Sequence, residues 1–413
     1  MKIQIRQARG KFAAMAGTYS LGVFNDNFFK QAAIFLAIAV GLGHLRGIAA
    51  ALIALPYVLF ASYAGWLADR FPKRNVVIGT KVLELVAMTC GAVGIYTGSW
   101  WMILSMVFLT GLQSAIFSPA LNGSIPELYP ASYVTTANAF LRIVTTSTIL
   151  LGGVLAGYAL DLDGQGEGIT IGERLGVSLT VIAVSLLGLV ISFGVPRLPA
   201  AAPHVRFPWS GPAETFRQLV KIHKDTLLAK VVWTNVFVWS VGSLQILIIS
   251  KMGKIQFRLG EAMTGNMVFA ELVGIAVGGF LASRIAAGGR WYRVFAPSAI
   301  AITALSLLSG ATPWLEQSMS VPAMFVLLAL TGIAGGLCLI PCESFIQVRP
   351  DRREKGAVIA AANFAVFCGI IISGMLVYAL DDILKPTTFF ASSAIVTGAV
   401  SVWLIFAFRG EEG

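Results

Sequence analysis

The sequence predicts an all-α polytopic membrane protein with twelve spanning helices in two six-helix bundles. Three observations point there: a composition too apolar for water, a regular series of apolar runs, and matched segments in the two halves. The chain has 413 residues, 57% hydrophobic and only 12% charged. A soluble domain carries about 25% charged residues, so this chain cannot cover a surface facing water. Lipid must cover it instead.

A spanning helix needs roughly 20 mostly apolar residues. Apolar runs fall at 12–37, 46–68, 75–97, 100–122, 133–160, 174–195, 228–250, 261–285, 292–312, 321–344, 355–380 and 387–408. Gly and Pro interrupt several of them, which membrane helices tolerate. The first run follows Lys2, Arg6, Arg9 and Lys11, as a signal peptide would. Asn25, Asp26, Asn27 and Lys30 break its apolar stretch and no small-residue cleavage site follows, so it reads as a retained first helix.

An even number of spans puts both termini on one side, and Lys and Arg choose which. One set of connections carries Arg46, Arg174, Lys251, Lys254, Arg258 and Lys385, six in all. The other connections and the termini carry 21. The positive-inside rule places those in the cytoplasm, with both termini there. The net charge of +10 is therefore a topology signal. A nucleic-acid partner is excluded, because the charge forms no basic surface with interleaved aromatics.

Pro196, Pro199, Pro203, Pro208 and Pro212 mark a polar linker between spans six and seven. It predicts residues 1–195 and 228–413 as two bundles, with a cytoplasmic linker at 196–227. Residues 212–224 read equally as an amphipathic helix on the membrane surface or as a solvated tether.

The halves echo each other in order. Gly65-Trp66-Leu67-Ala68-Asp69-Arg70 ends span two, and Gly279-Phe280-Leu281-Ala282-Ser283-Arg284 ends span eight. Thr110-Gly111 with Pro119 is matched by Thr331-Gly332 with Pro341. Ala137-Asn138 and Tyr158-Ala159-Leu160-Asp161 are matched by Ala362-Asn363 and Tyr378-Ala379-Leu380-Asp381. The run from Gly65 to Arg74 closely resembles the signature between spans two and three of the major facilitators, with Pro72 where that family usually has Gly. The resemblance implies two repeated halves with a substrate site between them near the midplane. It also implies a cytoplasmic latch built from Gly65, Asp69, Arg70, Lys73, Arg74, Arg352 and Arg353. Gly65 allows close helix approach. Asp69 is expected to sit against the positive start of span eleven and to pair with Arg352 or Arg353. The alternative, a plain positive-inside cluster, explains the basic residues but not Gly65 and Asp69.

Ionisable groups at bilayer depth cost at least a few kcal/mol unless they face a cavity or a partner. Asp26, Lys30, Glu84, Arg142 and Glu271 are such groups. Asp26 and Lys30, at i and i+4, either face the cavity or neutralise each other. Arg142 faces the cavity or pairs with Glu127. Glu84 follows Lys81 by three residues, which favours a local pair over ion coupling. Glu271 is either a coupling-ion group or the partner of another helix, and Asp26 is a second coupling candidate. Asn25, Gln113, Asn138, Asn235, Gln245 and Asn363 add neutral polar groups to the candidate substrate site, each also able to join helices.

No enzyme constellation is present. A Walker run is missing, so ATP hydrolysis in this chain is excluded. His44, His204 and His223 fall in loops or the linker. Cys338 and Cys342 are i, i+4, but no third ligand lies near them, so packing is expected rather than a metal. No cofactor is expected.

Three runs narrow the reading: Phe24-Asn25-Asp26-Asn27-Phe28-Phe29-Lys30, Leu55-Pro56-Tyr57-Val58-Leu59-Phe60-Ala61, and Gly111-Leu112-Gln113-Ser114-Ala115-Ile116-Phe117-Ser118-Pro119. They resemble the bacterial lysophospholipid transporters, including those fused to acyltransferases. The resemblance is clearest over the first six spans. It implies a multi-pass inner-membrane protein that flips lysophospholipids, mainly lysophosphatidylethanolamine, to the inner leaflet by alternating access. A separate acyltransferase chain and membrane lipid are the implied partners, with Na+ or H+ as a coupling ion and a monomer expected. Members commonly place Lys after the Pro-Ala step of span four, where this chain has Leu121, and relatives carry a basic residue near Gln245. Lys30 or Arg142 is left to supply the cation. Two other classes are open to this sequence: a proton-coupled exporter of a drug, a siderophore or another small metabolite, and a non-transporting receptor or scaffold, against which the latch motif and the buried charges argue.

Overall fold

The computed structural model describes residues 2–40, 45–160, 169–285, 291–380 and 383–409. His44, Asp161 and Asp381 lie outside the described residues. Fourteen α-helices follow in chain order: α1 Lys2–Ala39, α2 Leu45–Leu59, α3 Ala61–Arg70, α4 Lys73–Thr97, α5 Trp100–Leu128, α6 Ala131–Ala159, α7 Ile171–Ser192, α8 Pro212–Lys224, α9 Thr226–Lys251, α10 Glu261–Ile285, α11 Phe295–Ala311, α12 Gln317–Val348, α13 Lys355–Leu380 and α14 Pro386–Ala407. Among the described residues there is no strand.

Among the described residues ten helices are long and apolar enough to cross a membrane. The bent pair α2/α3 counts as an eleventh where its two pieces form one broken span. The predicted second span is thus two helices meeting at 58°. Pro56 lies one turn before the break; it cannot donate to the Leu52 carbonyl, and its ring crowds that group. α1 is 38 residues long, but the polar run 25–30 in its middle lowers its hydropathy. Large apolar side chains such as Trp101, Val154, Val190, Ile395 and Phe406 are exposed along the helices. An apolar surface of that extent needs lipid against it.

Helix ends follow local chemistry. Thr170 and Glu173 form a capping box at α7, and the Asp225 carboxylate accepts the Leu228 N–H at 3.1 Å to start α9. Gly98 closes α4 in the left-handed conformation, φ 72°.

The chain divides into two compact units. The first comprises residues 1–130, 147–222 and 349–367, so the opening turns of α13 pack with helices of the first half. Its core gathers Phe28 and Phe29 of α1, Met88 of α4, Met106 of α5 and Val181 of α7. The second comprises 131–146, 223–348 and 368–413, so the opening turns of α6 belong with helices of the second half. Its core holds Ile248, Met252, Met267, Met324, Leu328 and Phe390. There α10 and α12 meet through glycine: a Cβ on Gly274 would lie 3.0 Å from the Gly332 Cα. Small residues let membrane helices approach this closely.

Candidate functional site

A cavity of about 420 Å³ opens within the first unit, lined by α1, α2, α5 and one residue of α13, Phe367. Its wall is mostly apolar, including Phe29, Ile34, Ile53, Ile103 and Val107. Asp26, Asn27, Lys30, Tyr57, Thr110 and Ser114 supply its polar groups. Gly111 makes the wall possible, since a Cβ there would come 2.6 Å from the Ile53 carbonyl oxygen of α2. The rings of Tyr57 and Phe367 stack with centroids 3.6 Å apart.

Asp26 and Lys30 both line the cavity. Among the described residues they form no ion pair, and the buried Asp26 Oδ1 accepts no hydrogen bond. Both ionisable groups are thus presented to one space. Asn25 points elsewhere: its amide donates to the Val181 carbonyl at 2.9 Å and to Ser185 Oγ at 2.7 Å, both on α7. One residue is 100° of helix, so the neighbours face different helices.

Behind the cavity, Lys81 Nζ lies 2.6 Å from Glu84 Oε2, each side chain 1% exposed. This is the local pair expected for Glu84. Gln113 Nε2 adds a 3.4 Å contact to the same oxygen, so Gln113 serves the pair rather than the cavity. Gly22 leaves room for it, because a Cβ there would lie 2.8 Å from Lys81 Nζ. Asn363 donates to Ser118 Oγ at 2.9 Å.

Other candidates sit in the second unit. Arg142 pairs with Glu343 at 2.7 Å and lies over the Trp239 ring. The expected partner, Glu127, is taken by Lys73 at 2.5 Å. Asn138 donates to Ser344 Oγ at 2.9 Å and Gln347 Oε1 at 3.0 Å. Gln245 and Glu271 are buried, and among the described residues Gln245 Nε2 and Glu271 Oε2 have no hydrogen-bond partner. Glu84 is thus the one coupling candidate whose carboxylate is engaged by a lysine, while Glu271 stands without one.

The latch region is also in the first unit. Asp69 Oδ1 accepts the Gly356 N–H at 2.8 Å and Oδ2 the Ala357 N–H at 2.9 Å. The carboxylate thus caps α13 directly, where the helix carries partial positive charge. The expected guanidinium pairing is not seen. Arg352 Nε instead approaches Glu127 Oε1 at 3.8 Å, and the Arg353 amide donates to Asp351. Arg70 and Arg74 donate to the carbonyls of Val205 at 3.1 Å and Phe193 at 2.8 Å. The echoing segment in the second unit has Ser283 in place of an acid, its hydroxyl turned back to the Phe280 carbonyl. Ala139 of α6 packs there on Ala282 and Ile340. Among the described residues the carboxylate cap is seen in the first copy of the repeat.

Tyr57, Thr110, Ser114 and Phe367 were not among the expected site residues. Tyr57 and Ser114 stand inside the runs Leu55–Ala61 and Gly111–Pro119, and Thr110 in the echo Thr110-Gly111, so their position was available; the direction of their side chains was not.

An all-helical chain with ten or eleven candidate membrane helices among the described residues, an internal sequence repeat and a cavity lined by ionisable groups has the features of a multi-pass transporter. The family model described as Major Facilitator Superfamily matches residues 12–315, and the chain belongs to that family of transporters. It is similar to the lysophospholipid transporter LplT of Klebsiella pneumoniae subsp. pneumoniae, 25% identical over 362 residues, covering 84% of each chain. It is similar to LplT of Photorhabdus laumondii subsp. laumondii, 25% identical over 316 residues, covering 76% of this chain and 72% of that one. Among solved structures, human organic anion transporter MFSD10 has TM-score 0.78 at 14% identity, covering 96% of this chain and 99% of that one. The transporter FucP in its outward conformation has TM-score 0.72 at 12% identity, covering 96% and 98%. These neighbours share the fold.

Proposed function

We propose that this transporter moves a lysophospholipid across the bacterial inner membrane by alternating access, with its headgroup held by Asp26 and Lys30. The carrying observation is that two ionisable groups of opposite type, forming no ion pair with each other among the described residues, line one mostly apolar cavity. A zwitterionic headgroup needs an acid for its ammonium and a base for its phosphate. The apolar wall suits a single acyl chain. The names of the relatives support the same cargo. In this reading 1–195 and 228–413 are the two moving bundles, both termini are cytoplasmic, and the protein works as a monomer beside a separate acyltransferase. Leu121 is buried and apolar, so Lys30 carries the phosphate contact alone. Lysolipid uptake into spheroplasts lacking their own carrier tests the proposal. Uptake that stays at background, with membrane expression confirmed, sinks it.

A second reading rests on Glu271, a buried carboxyl group with an oxygen that has no partner. Such a group suits a proton carrier in a proton-coupled exporter of a small metabolite. An inward pH gradient would then drive efflux, and Glu271→Gln would abolish that drive. Gradient-driven efflux unchanged in the variant counts against it.

A further inference from the structure

A second cavity, of about 570 Å³, lies in the first unit between α3, the linker, α8 and the opening of α13. It is separate from the cavity of Asp26 and shares no lining residue with it. We propose that it binds a phosphate-bearing anion, and that the bound anion holds the latch engaged.

The charges of its lining do not cancel evenly. Its three carboxylates are all engaged: Asp69 by the α13 amides, Glu214 by Arg217 at 2.9 Å, and Glu354 by Lys221. Arg206 and Arg353 also line the cavity. Among the described residues neither has a carboxylate partner. Two guanidinium groups are therefore left over, and guanidinium is the group best shaped for a phosphate.

The polar lining is independently incomplete. Thr215 is 3% exposed, and its Oγ1 has no hydrogen-bond partner. Ser62 Oγ and Gln218 Nε2, on facing elements, are buried atoms without partners as well. A buried polar group left unpaired costs about 1–3 kcal/mol, and three around one space call for an acceptor there. All three can donate, and Gln218 Nε2 can do nothing else. The set matches an anion with several acceptor oxygens.

The linker wall is tied to the latch. The Ala202 amide donates to the Asp69 carbonyl at 2.8 Å, and the Val205 carbonyl accepts from Trp66 at 3.3 Å and Arg70 at 3.1 Å. An anion bridging α8 and the linker to Ser62 and Arg353 therefore adds contacts between the two sides of the Asp69 cap. Binding to the engaged state alone must stabilise that state.

The source of the phosphate is either a soluble ion or the headgroup of an anionic lipid, and titration separates them. Full-length protein in detergent would be titrated with inorganic phosphate, and separately with micelles containing phosphatidylglycerol or phosphatidylcholine. Calorimetry reads the binding, and hydrogen exchange reads the amides of 356–361. Saturable binding of phosphate marks a soluble anion; saturation by phosphatidylglycerol alone marks a headgroup. In either case Arg206→Gln and Thr215→Val should each weaken binding about tenfold, and the bound anion should slow exchange at 356–361. Arg206 is exposed, so its variant tests binding without disturbing the core. Absence of saturable binding by both probes overturns the proposal, as does affinity unchanged in both variants, or exchange at 356–361 that the anion leaves unaltered.

Discussion

Gly65 and Gly356 meet face to face: a Cβ added to Gly356 would lie 2.9 Å from the Gly65 carbonyl oxygen, and one added to Gly65 would lie 2.7 Å from the Ala357 Cα. This close approach is what brings the Asp69 carboxylate onto the amides of Gly356 and Ala357. The glycine and the acid of the signature thus serve one contact, the glycine by steric room and the acid by charge. Gly65→Ala forces the helices apart and Asp69→Asn replaces one acceptor oxygen by a donor facing an N–H. A charge-assisted hydrogen bond contributes about 1.5–3 kcal/mol. Both changes should speed amide exchange at 356–357 by roughly ten- to a hundredfold. Hydrogen exchange by mass spectrometry checks this, and unaltered protection in both variants refutes the latch.

The buried pair on α4 makes a different prediction. Removing one member of a buried ion pair strands the other and costs about 3–5 kcal/mol. Lys81→Met should therefore lower the Tm sharply, since it leaves Glu84 next to a cavity that already holds Asp26. Lys81→Met with Glu84→Leu should restore most of that loss. Thermal unfolding of the two variants in detergent decides it. Transport measured in the restored double variant then separates the local pair from the alternative of ion coupling by Glu84: activity retained means that the pair is structural.

These contrasts show what the sequence could and could not carry. The bounds of α8, α10 and α13 coincide with the expected runs 212–224, 261–285 and 355–380, because hydropathy and Pro or charge boundaries are local properties. The Asp69 cap was also readable, since a helix start needs acceptors whatever its neighbours are. The facing of Asn25 was not, because Asn25 turns to α7 while its neighbours Asp26 and Asn27 line the cavity, and only the packed helices decide which of the three do so. Arg142 shows the same limit. Glu127 was the nearest acid in sequence, but the partner is Glu343, 201 residues away. The bend at 58° was unreadable for another reason: proline permits a kink, and neighbouring helices fix its size.

The stacked rings of Tyr57 and Phe367 predict an effect on affinity. Phe367 is the residue that α13 contributes to the first cavity. An aromatic pair contributes about 0.5–1.5 kcal/mol beyond its buried area. Phe367→Ala should raise the KM for transport by roughly two- to tenfold, and Phe367→Tyr should leave it near the original value. Initial uptake rates across a substrate series measure both.

Asp26 and Lys30 give the sharpest test of cargo, because each is assigned to one end of a zwitterion. Lys30→Gln removes the phosphate contact and should depress uptake of every lysophospholipid, by about tenfold for a loss of 1.4 kcal/mol. Asp26→Asn removes only the ammonium contact. It should depress uptake of a lysolipid with an ethanolamine headgroup and spare one with a glycerol headgroup, which has no ammonium. The ratio of the two uptake rates is the quantity to measure, because changes in expression or folding scale both alike. A ratio shifted at least fivefold toward the glycerol headgroup in Asp26→Asn, and unshifted in Lys30→Gln, places the two ends of the headgroup. Equal loss for both lipids in Asp26→Asn assigns that carboxyl group to ion coupling instead, and the headgroup must then be bound elsewhere.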